Sequence, residues 1–224
     1  MGEFKVRVIR SKRRTVGLEV THQGKLVVRA PYHLNLSELE EILQRHRNWI
    51  RKKVREVQSQ QTLVQSKKFC NGERFLYLGK EYPLHLVSSP RSALAFDGQS
   101  FQLSLARVGL ARELFERWYR KQARTYLSRR VEQLAAITGF KFEEIRISSA
   151  RSRWGSCSAK GTISLTWRLI MAPPDIIDYV IIHELAHTLE KNHSRAFWQL
   201  VEKHLPDYRE RRRWLRINGF LLNL

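Results

Sequence analysis

The chain has 224 residues, 42% of them hydrophobic and 28% charged, which is enough apolar material for a packed core and excludes general disorder. Its 41 basic and 21 acidic side chains leave a net charge of +20, a field that attracts polyanions and repels basic partners. No run of about 18 apolar residues is present, so no membrane span is expected, and two cysteines, Cys70 and Cys157, are too few for a disulfide framework.

At the N-terminus, MGEFKVRVIRSKRR is basic but lacks the apolar stretch of a secretory signal. Val6 stands where a myristoylation site needs Ser or Thr. A cytoplasmic protein is expected. Phe4 to Ile9, Val16 to Val20 and Lys25 to Arg29 place apolar residues at near-alternate positions and read as strands, with a turn at His22-Gln23-Gly24. Ser37 then predicts an N-cap, with Glu40 three residues on closing a capping box. The helix runs to about Gln60, apolar along Leu39, Ile42, Leu43, His46, Trp49, Ile50, Val54 and Val57 and basic along Arg45, Arg47, Arg51, Lys52, Lys53 and Arg55. The polar stretch Gln58 to Lys68 continues or frays it.

Gly72, Gly79 and Asp97-Gly98 punctuate four short strands, Arg74 to Leu78, Tyr82 to Ser88, Ala93 to Phe96 and Ser100 to Leu105, and the Asp-Gly pair is a hairpin signal. A long helix follows from about Gly109 to Thr138, with Leu110, Leu114, Trp118, Ala123, Leu127, Val131, Leu134 and Ala135 inward and Gly139 at its C-terminus. Glu144 to Ser149 and Gly161 to Trp167 read as strands joined by the loop Ala150–Lys160. Pro173-Pro174-Asp175 opens a helix, Ser194 caps another over Arg195 to Leu205, and a last one runs from Asp207 to before Gly219. The composition divides the chain near residues 105–109 into a β-rich part with one long helix, 1–106, and a helix-rich part, 107–224. The expected class is α+β.

The chemistry concentrates in His183-Glu184-Leu185-Ala186-His187. Two histidines four apart on a helix share a face and reach one metal ion, and the glutamate between them is placed to take a proton from water. The helix is apolar nearly all round, so it is buried, and an ionised Glu184 there costs several kcal/mol unless compensated. Catalytic zinc takes three protein ligands. His193 is favoured as the third, because Asn192 can adopt the left-handed conformation that ends a helix and swing the imidazole back. Glu190, on the same helical face as both histidines, is the rival, and is otherwise expected to orient a ligand from behind.

The segment HELAHTLEKNHSRAFW, preceded by RSRWGSCSAKGTISLTWRLIMAPPDIIDYVIIHE, resembles the YgjP-like metallopeptidase domain family, a zincin-like group akin to the SprT-like and WLM proteases. The resemblance covers about residues 15–215 as one continuous domain. It implies a zincin-like core of long helix, short sheet and HExxH helix. It also implies His183, His187 and His193 as ligands of one zinc or another divalent ion, Glu184 as general base or acid, and Arg153-Trp154-Gly155-Ser156-Cys157 as a loop near the active site.

Read from its residues, Gly155 permits a tight turn, Trp154 walls a cleft or joins the core, and Arg153 holds a carboxylate or phosphate. Arg146, Arg151, Arg153, Lys160 and Arg168 carry this stretch without an acidic residue, which makes Arg146 and Arg151 further substrate-binding candidates. The strand Glu144 to Ser149 is a candidate edge for an extended peptide. Cys157 is not expected to bind metal. The leading expectation is a zinc metallopeptidase acting on peptide or protein. A nucleotide or phosphoanhydride hydrolase is the alternative, and a nucleic-acid-associated module, or a protease acting on DNA-bound proteins, is a second.

Overall fold

Alternating apolar residues build β1 (Val6–Ser11), β2 (Gly17–Val20) and β3 (Leu26–Pro31), ordered β1-β3-β2, with β1 parallel and β2 antiparallel to the central strand. The computed structural model describes residues 6–21, 24–63, 67–88 and 92–224; the expected strand residues Phe4 and Lys5, the turn residues His22 and Gln23, and part of the Gln58 to Lys68 stretch lie outside the described residues. Leu26, Val28 and Ala30 of β3 face Leu39, Ile50 and Val54 of two helices, α1 (Leu36–Arg45) and α2 (Arg47–Leu63), making one small core.

One helix was expected here, capped by Ser37. The cap is Asn35, whose side chain accepts the Glu38 N–H at 2.9 Å while Glu38 Oε2 accepts the Asn35 N–H at 2.8 Å. Asparagine caps as well as serine does, and its capping box with Glu38 starts the helix two residues earlier. The helix then breaks at His46, the C-cap of α1.

The chain divides into two compact units, Met1–Gln65 and Ser66–Leu224, and not at the composition change near residues 105–109. The reason is packing. β4 (Arg74–Tyr77), β5 (Lys80–Val87), β6 (Leu94–Phe96) and β7 (Phe101–Ser104) form a sheet ordered β4-β5-β7-β6, and its Phe75, Leu84, Phe101 and Leu103 are buried in the same core as the long helix α3 (Ala111–Thr138). Asp97 shapes the expected hairpin by accepting the Gln99 and Ser100 N–H groups, and Gly139 ends α3 in the left-handed conformation. The first half of the α3 stripe is turned by one position from expectation. Ala111, Phe115 and Tyr119 are buried, while Leu110 is exposed, because Phe115 and Tyr119 enter an aromatic cluster with Phe75, Phe101 and Trp167.

The second sheet is ordered β8-β10-β9, with β8 (Glu144–Ser148) parallel and β9 (Gly155–Cys157) antiparallel to β10 (Thr162–Thr166). β9 lies inside what the sequence presents as a loop; three residues, Gly-Ser-Cys, carry no alternation to reveal it. A 3-10 turn, Trp167–Met171, leads into α4 (Pro174–Ala186), followed by α5 (Arg195–His204) and α6 (Tyr208–Asn218). The expected long helix, short sheet and HExxH helix are therefore all present in this unit. No helix among the described residues is long and apolar enough to cross a membrane.

Three contacts set the position of α4. Arg130 of α3 grips Asp178 with two bonds of 2.6 and 2.7 Å, and Arg211 of α6 donates to the Asp175 carbonyl. The β4–β5 turn donates Leu78 and Gly79 N–H groups to the Ile170 and Met171 carbonyls just before the helix. Gly79 has φ of 77°, and a Cβ there would stand 2.8 Å from Pro173 Cα. Gly79→Ala therefore meets both backbone strain and overlap, and is expected to lower unfolding stability by about 2–4 kcal/mol. Urea titration measures it, and an unchanged midpoint would disprove the close approach.

Candidate metal centre

His183 and Glu184 occupy the last turn of α4, and His187 is its C-cap, so the helix ends inside the motif. Beyond it the chain turns through Thr188, Leu189 and Glu190, whose N–H groups return to the Leu185 and Ala186 carbonyls. Asn192 does not adopt the left-handed conformation; it accepts the Ser194 N–H, and Ser194 caps α5 by accepting the Phe197 N–H. The result is the reversal that brings His193 back. His193 Nε2 lies 3.0 Å from His183 Nε2, and one nitrogen from each of His183, His187 and His193 lies within 4.8 Å of the others.

Glu190 joins this group through its backbone. Its carbonyl accepts a hydrogen bond from His187 Nδ1 at 2.9 Å, which leaves Nε2 of that ring as the electron-pair donor. The expected orienting role therefore falls to the Glu190 main chain.

Phe197, fully buried, supports all three imidazoles, with centroids at 4.9 Å from His183, 4.4 Å from His187 and 4.8 Å from His193. Trp198 lies 5.8 Å from His183 and 5.6 Å from His193 and stacks on Tyr208. Arg212 of α6 lies over the Trp198 ring at 4.8 Å. Neither Phe197 nor Arg212 stands out in the sequence. Only the spacing of Phe197 after the Ser194 cap could have found the first, and Arg212 is one of several arginines on α6.

Desolvation pushes His183 down to about 3, and His187, His193 and Arg212 add to the effect. The His183 ring is thus neutral, with an electron pair to offer, and its Nδ1 is buried without a hydrogen-bond partner. Three imidazole nitrogens converging on one point suit a borderline cation such as zinc. These residues fit the metal that the motif predicts.

Glu184 is 7% exposed. Burial raises its carboxyl to about 7, and the Arg153 charge holds it back. In the metal-free protein the folded-state value lies above the unfolded one, so this group's contribution is complete below about 4.5 and is lost as pH rises through about 7. Gln mimics the protonated acid. Metal-free Glu184→Gln is therefore expected to match the parent near pH 4.5 and to exceed it by roughly 2–4 kcal/mol near pH 8. Urea unfolding at the two pH values measures the difference, and a pH-independent offset would contradict burial of the carboxylate.

The RWGSC segment delivers β9 directly to this carboxylate. A Cβ on Gly155 would stand 2.5 Å from Glu184 Cγ and 2.6 Å from Oε1, and Gly155 does not have positive φ. Glycine is there for space, not for the tight turn expected of it. Trp154 packs on the core and on Gly219, where a Cβ would meet its ring at 2.8 Å. Arg153 is exposed, and among the described residues no carboxylate pairs with it or with Arg212. Arg146 is not brought to the centre: it pairs with Glu144 at 2.7 Å on β8, separated from β9 by β10. Arg151 lies at the far end of the loop from Gly155. Cys157 donates to the Ser158 carbonyl and is outside the histidine cluster.

Residues 14–218 match the YgjP-like, metallopeptidase domain family. Over 61 residues the chain is 34% identical to the UTP pyrophosphatase of Escherichia coli (strain K12), a match covering 27% of this chain and 36% of that protein, or about a third of the relative's length. The metallopeptidase zymogen of Pyrococcus abyssi abylysin is 30% identical, with 42% of this chain and 94% of that one covered and a TM-score of 0.38.

Proposed function

The chain belongs to the YgjP-like, metallopeptidase domain family, a family of metal-dependent hydrolases, and from that premise we propose that it is a zinc-dependent peptidase with Glu184 as its general base. The observation that carries the reading is the convergence of the His183, His187 and His193 nitrogens within 4.8 Å beside a buried Glu184. A zinc ion held there supplies Lewis acidity and lowers the pKa of water to about 7. Glu184 Oε1 takes a proton from the attacking water, a C–O bond forms at the peptide carbon, and the same carboxyl returns the proton to the leaving nitrogen as the C–N bond breaks. Phe197 and the Glu190 carbonyl hold the imidazoles in place. β9 ends its sheet directly beside Glu184, so its outer edge supports an extended peptide better than β8 does at the opposite edge.

A second reading, phosphoanhydride hydrolysis, is favoured by Arg153, whose charge acts on Glu184, and Arg212, whose charge acts on His183 and His193; among the described residues neither lies within ion-pair distance of a carboxylate. The partial relative named a UTP pyrophosphatase supports it too. The two readings part in one experiment. Zinc-loaded protein is incubated with unfolded proteins, peptides and nucleoside triphosphates, and the products are read by mass spectrometry against Glu184→Gln. New peptide termini made only by the parent are expected. Release of pyrophosphate or monophosphate alone would replace the peptidase reading with the second.

A further inference from the structure

Arg168 is an anomaly. It follows β10 in the 3-10 turn and is only 7% exposed, yet among the described residues no carboxylate forms an ion pair with it. Its guanidinium lies over the Trp167 ring at 4.3 Å, Nη1 donates to the Ser149 carbonyl at 3.3 Å, and Nε is buried with no partner. A buried cation left in that state is costly, and a buried donor without an acceptor calls for an ion or water. More positive charge surrounds it. Arg120 reaches the same indole at 6.0 Å, and Arg151 follows two residues after the carbonyl that Arg168 holds. The nearby carboxylate, Glu116, is already bonded to Arg120. Arg151 and Arg120, whose charges both act on the buried Arg168, are exposed to solvent.

We infer that Arg168, Arg151 and Arg120 form an anion site, separate from the histidine centre, that takes a phosphate group. Three guanidinium forks around one carboxylate leave a net charge of +2, and arginine's planar fork matches phosphate oxygens in pairs. Burial and Arg151 push the Arg168 guanidinium below its ordinary value, Glu116 offsets part of this, and Arg120 adds to it, all of which an anion would relieve. The site also touches the loop that leads to the metal. Thr166 holds that loop twice, its N–H donating to the Trp154 carbonyl and its Oγ1 to the Ala150 carbonyl. An anion on Arg151 and Arg168 thus fixes the start of the segment whose end presents Arg153 and Gly155 to Glu184.

The test is calorimetric titration of the zinc-loaded protein with inorganic phosphate and with pyrophosphate, at constant ionic strength to suppress diffuse binding to a strongly cationic chain. One saturable site is expected, weakened at least tenfold in Arg151→Ala and lost in Arg168→Met. Phosphate is expected to raise the melting temperature of the parent and not of Arg168→Met. No saturable site in the parent, or equal affinity in both variants, would overturn the proposal, since the anion would then bind elsewhere, as at the metal. If Arg168→Met fails to fold, Arg151→Ala decides alone, and unchanged affinity there is fatal. UTP separates the sources of the phosphate. A weakened UTP affinity in Arg151→Ala assigns the site to a nucleotide, and an unchanged one alongside weakened phosphate binding assigns it to free phosphate.

Discussion

Glu184→Gln is expected to lower turnover by about 10²–10⁴-fold while leaving the metal in place. Gln keeps the shape that Gly155 accommodates and the burial that the surrounding core imposes, but it cannot take a proton. The three imidazoles are held by Phe197, by the Glu190 carbonyl and by the caps of α4 and α5, none of which involves the Glu184 carboxylate. Zinc content measured by atomic absorption should therefore match the parent, and the variant should resist urea at least as well near pH 8. A variant that retains full activity with metal bound would refute proton transfer by Glu184, whichever substrate is cleaved. A variant that loses its metal would show that Glu184 helps to hold the site together, and the loss of activity would then say nothing about proton transfer.

Gly155→Ala should be nearly as damaging, and for a purely geometric reason. The added methyl needs space 2.5 Å from Glu184 Cγ and 2.6 Å from Oε1, well inside contact distance. Either β9 retreats from β10, breaking the pairing of Gly155 with Leu165, or the carboxylate moves. A displacement of about 1 Å at a catalytic group costs on the order of 10²-fold in rate. The expected result is a fall in kcat with normal zinc content and with global stability reduced by about 1–3 kcal/mol. Retention of kcat would mean that the carboxylate works from a different position. Gly155→Ala combined with Glu184→Asp, which shortens the clashing side chain, should restore the stability but not the rate.

The two variants separate what is written locally from what is assembled at a distance. The HExxH spacing places His183 and His187 on one helical face by helical geometry alone, and the Ser194 cap lies in the sequence next to the residue it turns. The third histidine was legible for the same reason, although the chain reverses without the left-handed Asn192 that its composition invites. Elements with strong local signals, such as the Asp97-Gly98 hairpin, the Gly139 helix end and the Pro174 helix start, fall where the sequence puts them. The Asn35 cap was missed because Ser37 with Glu40 offers an equally good local pattern, and the folded chain forms the Asn35–Glu38 box instead.

What the sequence by itself determined was the α+β class and the HExxH motif with its glutamate between two histidines of one helical face, since these depend on residues close together along the chain. Tertiary structure alone decided the rest. It set the division of the units at Gln65–Ser66, the turning of the α3 stripe toward Phe115 and Tyr119, and the pairing of a three-residue β9 beside Glu184. It also buried Arg168 with no ion-paired carboxylate among the described residues. These outcomes depend on contacts between residues ten or more positions apart, and no periodicity or spacing along the chain records which arginine will be buried or which glycine must leave room for a carboxylate.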